Sequence, residues 1–110
     1  VGQLKELTTV EEWEQFLIGS NETVSLLFKH STQCPISAEA YEEFQSFANE
    51  NEQFQFGVVK VIESRPVSNQ IAEKLEVVHK SPQLFVLEDQ KVKWTESHWN
   101  IKQQSIQDHV

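Results

Sequence analysis

Two apolar runs of strand length, Val24-Ser25-Leu26-Leu27-Phe28-Lys29-His30 and Phe54-Gln55-Phe56-Gly57-Val58-Val59-Lys60-Val61-Ile62, constrain this chain more than any other feature. In the first, Val24, Leu26, Phe28 and His30 fall on one side, yet Leu27 is apolar on the other. A strand that is apolar on both sides needs cover on both faces, as an internal strand of a mixed sheet has. Between the runs, Ile36, Ala40, Phe44, Phe47 and Ala48 recur at helical spacing, while Glu39, Glu42, Glu43 and Glu50 point outward. A helix over about Pro35 to Asn49 therefore joins two central strands.

The remaining segments extend the same alternation. Gln3 to Leu7 reads as a short first strand. Thr8 and Thr9, each with a Glu three residues on (Glu11 and Glu12), carry the capping-box spacing that starts a helix. That helix buries Val10, Trp13, Phe16 and Leu17, and Gly19 marks its stop. Arg65-Pro66 reads as a break, with Ser68 or Asn69 capping a helix to about Leu75 whose inner face is Ile71, Ala72 and Leu75. Ser81-Pro82 precedes a strand over Gln83 to Glu88. Asp89-Gln90 then turns the chain into Lys91 to Thr95, and Asn100 caps a last helix carrying Ile101 and Ile106. The order is β-α-β-α-β-α-β-β-α, an α/β arrangement with a mixed central sheet and helices on both faces. At 110 residues the expectation is a single domain, 1–110.

The single cysteine, Cys34, lies where the first central strand gives way to its helix, in Thr32-Gln33-Cys34-Pro35-Ile36-Ser37. A sulfur at a helix start faces unpaired backbone N–H groups and the positive end of the helix dipole, both of which favour thiolate over thiol. Pro35 suits the first turn, where its missing N–H would have lacked a partner anyway. Ser37 stands where a Cys-x-x-Cys motif carries its second sulfur. One-sulfur thiol chemistry is open to such a chain, and an internal disulfide is not. The plainer alternative is an inert core cysteine, which the polar context of the strand-to-helix turn disfavours.

Other chemistries are excluded more simply. One cysteine and four scattered histidines make no zinc set, so no metal is expected. The formal charge of −8 repels phosphate backbones and anionic lipid surfaces, so neither nucleic acid nor membrane is an expected partner. No run approaches the ~20 apolar residues of a membrane helix, and the opening residues lack the apolar segment of a signal. A small domain that folds without disulfides fits a reducing, cytoplasmic setting.

The element order, the cysteine after a central strand and the proline before the hairpin together resemble the thioredoxin fold over nearly the whole chain. Ser68 to Val92 is similar to the corresponding thioredoxin segment, with Pro82 at the position of that family's cis-proline. Thr32-Gln33-Cys34-Pro35-Ile36-Ser37 is similar to the active-site motif of the monothiol bacilliredoxins of the YtxJ type. That resemblance implies a bacterial cytosolic thiol–disulfide oxidoreductase that removes bacillithiol from S-bacillithiolated client proteins. It further implies no tightly bound cofactor, bacillithiol as thiol co-substrate, and a bacillithiol disulfide reductase as recycling partner. Two related patterns fit less well. Dithiol thioredoxins need a second cysteine. Cluster-binding monothiol glutaredoxins carry Cys-Gly-Phe-Ser and a late Gly-Gly turn, whereas here no Gly follows Gly57.

Under this resemblance Cys34 attacks and Ser37, three residues on, steadies the thiolate; Thr32, Gln33, Pro35, Ser81 and Pro82 contact the substrate. The residues alone leave Ser37 equally open as an early-helix polar group bonding the backbone. Lys29, His30, His79 and Lys80 are further polar candidates for the rim, although strand alternation puts Lys29 and His30 on opposite faces. Trp94 and Trp99 are assigned to ordinary packing rather than to the groove. A non-catalytic thioredoxin-fold adaptor or thiol-redox sensor is the alternative from another class.

Overall fold

The computed structural model describes residues 4–110, and Gln3, expected to open the first strand, lies outside them. Ten elements follow in chain order: β1 (Leu4–Glu6), α1 (Val10–Gly19), β2 (Ser25–His30), α2 (Pro35–Glu50), β3 (Gln55–Lys60), α3 (Arg65–Leu75), β4 (Gln83–Glu88), β5 (Lys91–Ser97), a 3-10 turn (His98–Asn100) and α4 (Gln103–Gln107). The sheet runs β1-β3-β2-β4-β5, parallel across β1, β3 and β2, and antiparallel across β2, β4 and β5.

Every residue of β2 is buried, because it is flanked by strands on both edges and covered on both faces. Leu26 and Phe28 join Phe44, Phe47, Phe56, Leu84, Ile101 and Ile106 in the layer under α2 and α4. Leu27 joins Trp13, Phe16, Val59, Ile71 and Phe85 in the layer under α1 and α3. The alternation of side chains along one strand thus feeds two separate cores. At the capping box, Thr9 accepts from the Glu12 N–H at 3.1 Å, and Glu12 reaches back to the N–H groups of Thr8 and Thr9. The hairpin turns on Asp89 and Gln90 with φ of 53° and 64°, the left-handed pair that matches strand twist in two-residue loops.

Several local expectations are corrected. Gly19 ends α1 as expected, but its backbone is not left-handed, and a Cβ there would stand 2.8 Å from the Gln55 amide. A small residue here leaves the Gln55 side chain in place, free to donate to the Phe16 carbonyl and Ser25 Oγ. Arg65-Pro66 opens α3 rather than breaking the chain, and Ser64 precedes it in place of Ser68 or Asn69. Proline is compatible with a first turn, where no intrahelical N–H bond is lost. The face that α3 buries is accordingly Val67, Ser68 and Ile71, with Ala72 and Leu75 half-buried. Asn100 ends the 3-10 turn; α4 starts after Lys102, whose N–H donates to Ser105 Oγ at 3.0 Å. Ile36 is only half-buried, and the fully buried residue in that turn is Ser37. Trp94 packs against the α2-side core and stacks on His109, whereas Trp99 is 59% exposed.

Candidate functional site

One end of the sheet collects three connections. The chain leaves β2 at His30 and turns through Ser31, Thr32 and Gln33 into α2. Register places Lys60 beside His30, so Val61 to Glu63 leave β3 at the same end, and Val61 N–H donates to the His30 carbonyl at 2.9 Å. The antiparallel pairing of Lys29 with Gln83 brings Ser81 and Pro82 in from the other side. The Ser81–Pro82 bond is cis.

Cys34 is the N-cap of α2, with extended backbone (φ −112°, ψ 121°), and its sulfur makes no capping hydrogen bond. It is half-buried. Its N–H donates to the Ser31 carbonyl at 3.1 Å and its own carbonyl accepts from Ala38 N–H at 3.0 Å, so the turn before the helix is closed from both directions. Pro35 occupies the first position and supplies no donor, leaving the unpaired N–H groups of the following residues at the helix start. Thr32, Gln33 and Pro35 are exposed around it, Ser81 is half-buried and Pro82 is buried.

Ser37 is wholly buried, and its hydroxyl is occupied. Ser31 N–H donates to Oγ at 2.9 Å, and His30 Nδ1 lies 2.8 Å from the same oxygen. The imidazole is itself wedged, 4.5 Å from the Tyr41 ring in a stacked arrangement and 5.8 Å from Phe28. Burial holds His30 below the usual imidazole range, with Lys60 acting in the same direction and Glu63 against it. Thr32 hydroxyl donates to the Glu63 carboxylate at 2.8 Å, which ties the Cys34 turn to the loop after β3 and holds that carboxyl below its ordinary value.

Lys29 points the opposite way, as alternation requires. It is completely buried, its Nζ is 3.1 Å from His79 Nδ1 and 6.0 Å from the Phe85 ring centre. Burial lowers it to about 8. His79 is held low by burial first, then by Lys29 and Arg65. Gln83 clamps the same loop, accepting from Lys80 N–H at 3.1 Å and donating to the Val78 carbonyl at 3.3 Å. Of the polar candidates, His30, Thr32 and Ser37 therefore surround the Cys34 turn, while Lys29 and His79 brace the loop leading to Pro82.

Two participants escaped sequence reasoning. Glu63 sits in an irregular loop with no periodic signal to place it. Tyr41 was within reach: it lies four residues beyond Ser37 and shares its helix face. Among the described residues, no group of three or more His, Cys, Asp or Glu side chains could hold a metal ion, and no helix is long and apolar enough to cross a membrane.

The family model described as monothiol bacilliredoxin BrxC matches residues 5–106 of the chain. A solved structure described as a proposed oxidoreductase with a thioredoxin fold is similar at TM-score 0.89 and 30% identity, covering 98% of this chain and 94% of that one. Fasciola hepatica thioredoxin is similar at TM-score 0.78 and 13% identity, covering 94% and 93%. A poplar wild-type thioredoxin h is similar at 0.78 and 16%, covering 97% and 92%. At such identities the two thioredoxins speak for the fold alone.

Proposed function

Because the chain belongs to the monothiol bacilliredoxin family of thiol–disulfide oxidoreductases, we propose that Cys34 removes bacillithiol from S-bacillithiolated proteins. The Cys34 thiolate attacks the bacillithiol sulfur of the client's mixed disulfide. A sulfur–sulfur bond forms between Cys34 and bacillithiol as the client–bacillithiol bond breaks, and the client leaves as a thiolate that takes a proton from water. A second bacillithiol thiolate then attacks the adduct, returning Cys34 and releasing bacillithiol disulfide. A separate reductase system returns that disulfide to thiol, in a reducing cytoplasm.

The observation that carries this reading is the lone half-buried sulfur at the start of α2, with serine and not cysteine one turn on. A second sulfur would let the enzyme resolve its own adduct; serine leaves that step to an external thiol. In this reading Thr32, Gln33 and Pro35 form one wall of the site and Ser81 with Pro82 the other, the Ser81 backbone pairing with the peptide-like part of the substrate. Ser37 acts from beneath the turn. Bacillithiol carries a carboxylated malyl group, which amide and cationic donors such as Gln33 and Lys80 suit.

The test is turnover. A bacillithiolated client mixed with catalytic protein and excess bacillithiol should be released many times over per enzyme molecule, and Cys34→Ala should abolish release. Capture of one bacillithiol per chain without turnover would support the adaptor reading instead.

A further inference from the structure

We propose that His30 is a positioning residue for Cys34, acting through the Ser37 hydroxyl. The proposal rests on Cys34 being the exchanging thiol. Three hydrogen bonds link the imidazole to the backbone of the sulfur-bearing residue. His30 Nδ1 meets Ser37 Oγ at 2.8 Å, Ser31 N–H donates to the same oxygen at 2.9 Å, and the Ser31 carbonyl accepts from Cys34 N–H at 3.1 Å. Ser37 is 0% and His30 9% exposed, so water offers these groups little alternative. Tyr41 and Phe28 hold the ring plane, which fixes the direction in which Nδ1 points.

A hydroxyl has one hydrogen and two acceptor positions. An amide can only donate, so Ser31 takes one acceptor position of Ser37 in every protonation state. With a neutral ring protonated at Nε2, the hydroxyl hydrogen is committed to Nδ1. When the ring becomes imidazolium, Nδ1–H donates to the oxygen and the hydroxyl hydrogen must swing to another acceptor. His30 protonation therefore rearranges the group that pins the Cys34 turn. The charged and titratable groups facing His30 are Tyr41 of α2, Lys60 at the end of β3 and Glu63 just beyond it. Lys60 and Glu63 oppose one another, and burial leaves the neutral ring favoured. By linkage, a change at Cys34 must in turn alter the proton affinity of His30.

The experiment follows the His30 ring by NMR titration in the intact protein, with Cys34 free and with Cys34 blocked as its mixed disulfide with 2-mercaptoethanol. The expected result is a His30 midpoint that moves by a few tenths of a unit on blocking, and fails to move in Ser37→Ala. In parallel, exchange of Cys34 with hydroxyethyl disulfide should slow about tenfold in His30→Leu and stay within about threefold in His30→Asn, which restores a polar group near Nδ1. If His30→Leu does not fold, the titrations of wild type and Ser37→Ala decide alone. A midpoint unmoved by blocking, or moved equally in Ser37→Ala, overturns the proposal while exchange at Cys34 continues. Failure of wild-type Cys34 to exchange at all overturns the functional reading instead.

Discussion

The ammonium of Lys29 lies 3.1 Å from Nδ1 of His79 while no part of the lysine reaches solvent. An amine in an apolar layer, partnered by an imidazole nitrogen and an aromatic face rather than by a carboxylate, is costly to charge. The pairing nevertheless fastens the loop before Pro82 to β2, the strand that leads into the Cys34 turn, and that attachment gives the cost a purpose.

The first prediction follows from the sign of this shift. The folded protein releases the Lys29 proton at about 8, whereas the unfolded chain keeps it to 10.5. Between those values the unfolded state binds more protons, so stability rises with pH, by at most about 3 kcal/mol across the window. Tyr41, held above its usual value by burial, acts in the opposite direction from pH 10 upward, so pH 8 to 9.5 is the clean range. Urea unfolding at several pH values should show the rise, and Lys29→Met should flatten it.

Acid should destabilise the fold through the histidines. His30 and His79 are both held below 6.5 in the folded state, chiefly by burial. Their contribution is complete above 6.5 and is lost as pH falls through the folded values. Unfolding midpoints should decline below pH 6.5, before the carboxylates begin to titrate. His30→Asn should reduce that decline; an unchanged slope would mean that the ring is not the group responsible.

The Ser37→Cys variant should close an internal bond between Cys34 and the introduced sulfur under mild oxidation, read as the loss of two hydrogens in the intact mass. The same variant leaves the Ser31 N–H without its hydroxyl acceptor, so the reduced form should lose about 1–3 kcal/mol of stability. Persistence of two free thiols after oxidation would show that positions 34 and 37 do not meet across the first turn.

The layer beneath α2 depends on rings packed in series. Phe44 stacks on Phe28 at 5.2 Å and meets Phe56 edge-on at 5.8 Å, all three fully buried. Phe44→Ala should cost about 3–5 kcal/mol in chemical denaturation. A loss below 1 kcal/mol would mean that the helix collapses onto the sheet without that ring.

The fold was legible where periodicity was unmixed. Leu27, apolar on the wrong side of an otherwise alternating strand, correctly marked β2 as covered on both faces, and the capping spacing at Thr8 and Thr9 placed the start of α1. Boundaries failed where one residue type serves two purposes. Pro66 can end a helix or open one, and only tertiary contacts choose; Gly19 did mark the end of α1, though without the left-handed backbone of a glycine cap. At the site, Cys34 and its turn were readable because a helix start is a local property. The partnership of Ser37 with His30 was not, since they lie seven positions apart across a strand-to-helix turn and either could have pointed elsewhere. Lys29 carried a different lesson: a charge inside an apolar strand looked like a rim residue, and its burial and its contact with His79 became visible only once the loop before Pro82 folded back.

The most direct measurement is the intact mass of the protein after brief exposure to one equivalent of a bacillithiolated client, with no free bacillithiol present. The expected product carries the mass of one bacillithiol added through a reducible bond, located by fragmentation to Cys34, together with an equal amount of client freed as thiol. An unmodified protein with the client still blocked, or a disulfide joining Cys34 to the client itself as the sole product, would contradict removal of bacillithiol by Cys34.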